Sequence, residues 1–332
     1  MKKIILCLLT LISAVGVYAQ KGPASHPLYD DTIFHGAADP VVIYNKQQKM
    51  WWMYYTNRRA TLDDKTGVQW VHGTRIGIAE SRDGKIWKYK DTANINYRMD
   101  KGYTFWAPDI IEEKGLYHMF VTYVPGIFND WEHPRDILHL TSTDMLNWKF
   151  ESIVPVGTHK VIDPSITKVS DNLWRLWYND EKKGKSISYA ESNDLYHWTD
   201  KGEIIPAHGE GPKVFQWKDK YFMIVDVWKG MDVYSSTDQL HWVKQPERIL
   251  ENPGKGKDDQ AIGGHCDVVV NNDQAYIFYF THPGRTKDNP APANSFEARR
   301  SVIQLGQLHY EDGVITCNRD EALYIHLVGR ND

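Results

Sequence analysis

Cysteine is scarce. Three occur in 332 residues, and Cys7 sits inside an apolar leader, so no disulfide scaffold is built here. Cys266 and Cys317 remain, and a bond between them or two buried thiols fit the sequence equally well. No CxxC or HExxH pattern occurs, so no zinc-enzyme motif is present. An excess of one charge is also lacking. Lys plus Arg number 39 against 43 Asp plus Glu, without basic runs, and leave no electrostatic footprint for nucleic acid. Beyond residue 17 no apolar run is long enough for a transmembrane helix. Amphipathic helices of roughly 10–15 residues alternating with strands are missing, which argues against an α/β barrel.

The leader has its own reading. Lys2 and Lys3 precede an apolar run from Ile4 to Val17, and Val17-Tyr18-Ala19 offers an A-x-A-like cleavage site. Residues 1–19 read as a bacterial-type signal peptide, which places the mature chain in the periplasm or outside the cell. A retained anchor is the weaker reading, because only this segment is apolar enough. Residues 20–332 read as one domain. Their partners are expected to include no nucleic acid and no bilayer span.

Aromatic residues are what the chain has in abundance, with 13 Trp, 19 Tyr and 10 Phe. Many fall in an internal repeat. Ser81-Arg82-Asp83 to Trp87, Ser142-Thr143-Asp144 to Trp148, Ser192-Asn193-Asp194 to Trp198 and Ser236-Thr237-Asp238 to Trp242 each place Asp four residues before Trp. A strand ending in Ser-x-Asp, then a turn and an aromatic strand start, is a hairpin signature. The Ser or Asp side chain caps the turn and the Trp covers the sheet. An alternating aromatic strand precedes each hairpin, and a fifth, Ala275 to Phe280, stands without one. Leading strands begin near Val41, Ile110, Ile166, Val214 and Val268. Five units of about four strands each cannot bury both faces alone, so they must stack around an axis. The expected fold is all-β, a five-bladed β-propeller of four-stranded antiparallel blades. Three long connections, Arg58 to Thr74, Pro125 to Arg135 and His282 to Arg300, are rims of a site or disordered. Residues 20–38 close the ring or form a rim loop.

The first strand of each blade lines the channel of a propeller, so its beginning faces a common pocket. Here these beginnings read Ala38-Asp39-Pro40, Ala107-Pro108-Asp109, Ile162-Asp163-Pro164, Glu210-Gly211-Pro212 and Gly264-His265-Cys266. Taken singly, each Asp-Pro pair more often just starts a turn. Recurrence across blades reverses that for Asp39, Asp163 and Glu210 and does less for Asp109, which suits backbone amides beside Trp106. His265 is read as a packed channel residue, a sugar contact or a ligand to an ion, with the first two favoured. Three clustered acids cannot all ionise cheaply, and the resulting division of labour suits glycoside cleavage. Phe34, Trp70, Trp106, Trp131 and Trp228 are candidates to stack on a sugar ring.

This ordered set resembles the family 43 glycoside hydrolases, five-bladed propellers that invert anomeric configuration. The resemblance runs from Asp39 to about Tyr310. It implies Asp39 as general base, Glu210 as general acid, and Asp163 as the acid that tunes Glu210 and orients the substrate. Asp109, Trp106, His265, Trp70, Phe34, Trp131, Trp228 and Arg285 are the expected substrate-binding residues. No cofactor is required, although in some relatives the histidine matching His265 meets water or a calcium ion in the central channel. The substrate implied is a plant oligosaccharide or polysaccharide fragment. It would be cleaved by an exo-acting α-L-arabinofuranosidase or β-xylosidase. A hydrolase for another sugar, a phosphorylase using Arg285, Arg299 and Arg300, and a non-catalytic carbohydrate-binding propeller are the alternatives.

Overall fold

The computed structural model describes residues 22–63, 66–98, 102–206 and 208–329. The leader, residues 1–19, lies outside the described residues. Five antiparallel sheets follow one another along the chain. Blade 1 holds β1 (Ala37–Asn45), β2 (Met50–Asn57), β3 (Arg75–Ser81) and β4 (Lys88–Thr92). A two-residue strand, β5 (Asn94–Ile95), then pairs parallel to the outer edge of blade 2. Blade 2 holds β6 (Thr104–Glu113), β7 (Leu116–Val124), β8 (Asp136–Ser142) and β9 (Asn147–Ile153). Blade 3 comprises β10 (Val161–Ser170), β11 (Leu173–Asp180), β12 (Ser186–Ser192) and β13 (Thr199–Ile205). Blade 4 comprises β14 (Glu210–Trp217), β15 (Lys220–Asp226), β16 (Met231–Ser236) and β17 (Val243–Lys244). Blade 5 comprises β18 (Gly264–Asn271), β19 (Gln274–Thr281), β20 (Val302–Glu311) and β21 (Val314–Cys317). Each innermost strand packs against that of the next blade, and β18 returns to β1, so the sheets close as a five-bladed propeller.

The repeated hairpins form as their side chains dictate. Ser142 Oγ accepts the Met145 amide at 2.8 Å, while Asp144 Oδ1 accepts those of Leu146 and Asn147, each at 2.8 Å. Trp148 Nε1 then donates to the Met145 carbonyl at 3.1 Å. Trp87 and Trp198 repeat that bond to Gly84 and Leu195. The residue after each Asp sits at positive φ, and only the first of the four is glycine. Ser and Asp bonds to the turn amides hold the backbone in the left-handed region for the other three. The repeat thus supplies both the turn and its cover: Trp87, Trp148 and Trp198 are buried between blades.

Segments outside the blades bridge blades 5 and 1. Tyr29 pairs antiparallel with Ile303 of β20, so the early segment lies on blade 5. The tail crosses to blade 1: Leu323, Ile325 and Leu327 pack with Val42, Trp51 and Trp87, and Trp51 Nε1 donates to the Leu327 carbonyl. Cys266 and Cys317 are both free thiols. No helix among the described residues is long and apolar enough to cross a membrane.

Candidate active site

Four of the five innermost strands open on the same backbone device. In β1, β6, β10 and β14 the ladder shifts register across an X-Pro step: Ala38 to Val41, Trp106 to Asp109, Ile162 to Ser165, and Glu210 to Lys213. Proline has no N–H to give a ladder, so a bulge is where a sheet tolerates it. The residue before each proline lies at positive φ: Asp39 (51°), Ala107 (43°), Asp163 (57°) and Gly211 (58°). Three of these four are not glycine, so the backbone here holds strain that the surrounding structure must sustain.

Neighbouring blades take up the amides at these bulges. Thr56 Oγ1 accepts the Ala107 amide and Thr122 Oγ1 that of Asp163. Asp163 Oδ2 accepts the Gly211 amide at 3.0 Å, and Asp226 Oδ2 that of His265 at 2.9 Å. Each bond links one blade to the next at the mouth of the channel. The acids there therefore belong to the wall and also seam the ring.

That mouth is a cavity of about 770 Å³. Asp39, Asp163 and Glu210 line it together, as do Trp70, Trp106, Trp131, Trp228, His265 and Arg285. Asp39 is gripped by Arg58 Nη2, at 3.1 and 3.2 Å from its two oxygens, and lies 3.7 Å from His265 Nδ1. Glu210 receives Trp228 Nε1 at 3.0 Å and stands 3.6 Å from Lys185 Nζ. Glu210 is the more open carboxylate, whereas Asp163 is buried. Burial, followed by the charges of Glu210 and Asp39, raises the Asp163 pKa well above the usual carboxylate range. Burial and the Glu210 charge likewise push Asp226 up to about 7. The cluster thus retains protons where isolated carboxylic acids would have lost them.

Two expected residues do not line the cavity. Asp109 directly follows its proline, two positions beyond the pre-proline site that Asp39 and Asp163 occupy in their own strands. Its oxygens accept the Ile166 amide at 2.8 Å and Lys213 Nζ at 3.0 Å, so it serves the channel wall. Phe34 is turned to the surface by Asp31, whose buried carboxylate accepts the amides of Ile33 and Phe34. Of the basic trio in the last connection, only Arg285 lines the cavity. Arg299 donates to the Leu62 carbonyl, and Arg300 is paired with Asp30 and Asp258.

Several cavity residues escaped the sequence reading, among them Arg58, Arg135, Glu181, Lys185, Asp226 and His282. Most lie at or just beyond the ends of second strands, as Arg58, Glu181, Asp226 and His282 do. An antiparallel second strand ends where the first begins, so its last residues were the available signal. All three long connections prove to be walls of the cavity, through Trp70, Trp131 and Arg285.

The channel beside His265 already holds a cation of the chain itself. The two channel carboxylates beneath, Asp109 and Asp267, already share the Lys213 ammonium at 3.0 and 2.7 Å. Burial opposes that ammonium's charge, yet the two carboxylates outweigh it and raise the Lys213 pKa. A divalent ion bound by that pair of carboxylates would have to displace the ammonium. Among the described residues no three His, Cys, Asp or Glu side chains converge as a metal cluster.

The fold and site define a five-bladed propeller with an acid-lined cavity at one end of its channel, and solved structures share that architecture. A thermostable family-43 glycoside hydrolase matches with a TM-score of 0.65 at 17% identity, over 90% of this chain and 97% of that one. A family-43 β-1,3-galactosidase solved with galactodeoxynojirimycin matches with 0.65 at 15%, over 89% and 97%. A family-43 β-xylosidase/α-arabinofuranosidase from a compost microbial metagenome, solved with xylotriose in a calcium-free form, matches with 0.63 at 14%, over 89% and 97%. At these identities the likeness establishes the fold. No protein-family model and no curated protein matches the sequence.

Proposed function

We propose that the protein is a glycoside hydrolase of the propeller type, an inverting exo-enzyme that removes terminal pentose residues from plant oligosaccharides outside the cytoplasm. One observation carries this reading: acids from three separate blades, Asp39, Asp163 and Glu210, line a single cavity walled by indole rings. The structural neighbours support it, since their described activities are xylosidase, arabinofuranosidase and galactosidase.

The chemistry follows from the geometry. A single displacement needs one carboxylate to activate water and one carboxylic acid to protonate the leaving oxygen. Asp39, fixed by Arg58 and facing His265, is assigned the water. Glu210, the more exposed carboxyl, is assigned the leaving oxygen. Asp163 binds the amide next to Glu210 and shares the cluster's protons, so it tunes and positions the acid. Trp70, Trp106, Trp131 and Trp228 offer ring faces to the sugar. The propeller would cut one residue at a time, and the leader of residues 1–19 would export it.

The test is hydrolysis of aryl α-L-arabinofuranosides, β-D-xylosides and β-D-galactosides by the purified chain, with Asp39→Asn and Glu210→Ala as controls. Release of a pentose, lost in both variants, supports the assignment. Equal release by the variants, or none from any glycoside by the parent, contradicts it.

A further inference from the structure

Five cations line the cavity: Arg58, Arg135, Lys160, Lys185 and Arg285. Four of them face carboxylates of this chain. Arg58 holds Asp39, Arg135 meets Glu181 at 2.9 Å, Lys160 meets Glu132 at 2.7 Å, and Lys185 lies between Glu181 and Glu210. Arg285 differs. Among the described residues no carboxylate lies within ion-pair distance of it. Its hydrogen bond runs from Nε to the Ala298 carbonyl at 2.8 Å, which leaves both terminal nitrogens uncommitted. Trp70 supports the guanidinium, 5.7 Å below its carbon. Desolvation, and after it the charge of Arg58, lower the Arg285 pKa to about 10. His282 adds no charge on this side. Its Nδ1 bonds the Arg300 carbonyl and its Nε2 meets Arg58, while burial keeps it neutral.

We propose that Arg285 forms an anion-binding subsite, and that the sugar next in the chain to the one bound beside Asp39 carries an oxyanion, a uronate carboxylate or a sulfate ester. A guanidinium anchored through Nε, with its outer fork free, matches the two oxygens of such a group. The surrounding charges favour the same outcome. Asp39 is already paired with Arg58, so this wall keeps one guanidinium without a carboxylate partner among the described residues. The inference deepens the reading of the cavity as a sugar site and rests on it.

Binding to the full-length chain tests this without any turnover, by calorimetry and by the fluorescence of cavity tryptophans at fixed ionic strength. The probes are xylosyl-glucuronate, a sulfated disaccharide of equal size, xylobiose and inorganic phosphate. One of the two acidic disaccharides should bind at least about tenfold tighter than xylobiose, as expected of a charge-assisted bidentate contact. Arg285→Gln should abolish that preference, so that acidic and neutral disaccharides bind the variant equally, and Arg285→Lys should restore part of it. Which acidic probe prevails separates uronate from sulfate. Equal affinity for acidic and neutral disaccharides overturns the subsite while leaving the sugar site intact. So does a preference that survives in Arg285→Gln. Tightest binding of phosphate, with cleavage that requires it, makes the anion a co-substrate and also overturns the proposal. Failure of every sugar to bind removes the underlying reading together with the subsite.

Discussion

The Asp163 carboxylate accepts the backbone N–H of Gly211 at 3.0 Å, one residue beyond Glu210. A carboxyl from blade 3 thereby fixes the strand of blade 4 that carries the assigned acid. Two functions meet in one side chain: a seam between blades, and a titrating carboxyl beside a proton donor.

Asp163→Asn separates them. The amide oxygen of asparagine can still accept the Gly211 N–H, so the fold should persist. Where Asp163 ionises, its charge opposes ionisation of the proton donor, and asparagine removes that opposition. The expected result is a kcat lowered by at least about tenfold, with the basic limb of the pH–rate profile moved to lower pH. An unchanged profile with normal kcat would leave Asp163 a structural seam alone.

Asp226 gives a prediction about stability. Its pKa is pushed up to about 7, first by burial and then by Glu210. Between the ordinary carboxylate pKa of about 4 and that value, the folded chain holds a proton that the unfolded chain has lost. Stability from this group is therefore full below about pH 4 and declines as pH rises toward 7. Asp226→Asn should flatten that decline, whatever its offset in Tm. Thermal denaturation across pH 4 to 8 checks it, and parallel curves for parent and variant would refute it.

Lys213 carries the prediction about metals. With an ammonium already between Asp109 and Asp267, chelation or added calcium should leave both Tm and activity unchanged. Lys213→Met strands two buried carboxylates and should cost ~3–5 kcal/mol, read by denaturant unfolding. A parent protein whose Tm falls on chelation contradicts the assignment of that cation.

Much of this was legible in the residues. The Ser-x-Asp to Trp spacing encodes its own turn, because hydroxyl and carboxylate bond the nearest amides, and four such turns count four blades. Asp39, Asp163 and Glu210 were visible because each adjoins an X-Pro or Gly-Pro step at a strand start. Asp109 misled for a physical reason. It follows its proline instead of preceding it, and two positions along a bulged strand turn a pocket acid into a channel acid. Phe34 depended on Asp31 capping its own turn, which spacing alone does not distinguish from a rim loop. Arg58, Asp226 and His282 lie at or beside second-strand ends, where their role depends on which blade faces them across the cavity. The partners of Arg285 likewise follow from three-dimensional proximity, so only the structure shows that no carboxylate among the described residues pairs with it.

Anomer-resolved proton NMR during cleavage of a susceptible glycoside tests the assignment of Asp39 and Glu210 most directly. The first product observed should have the anomeric configuration opposite to the substrate, before mutarotation mixes the two forms. Asp39→Asn should abolish its appearance. Retained configuration, which belongs to carboxyl groups only about 5 Å apart that form a covalent intermediate, would contradict the single displacement and the roles given to both residues.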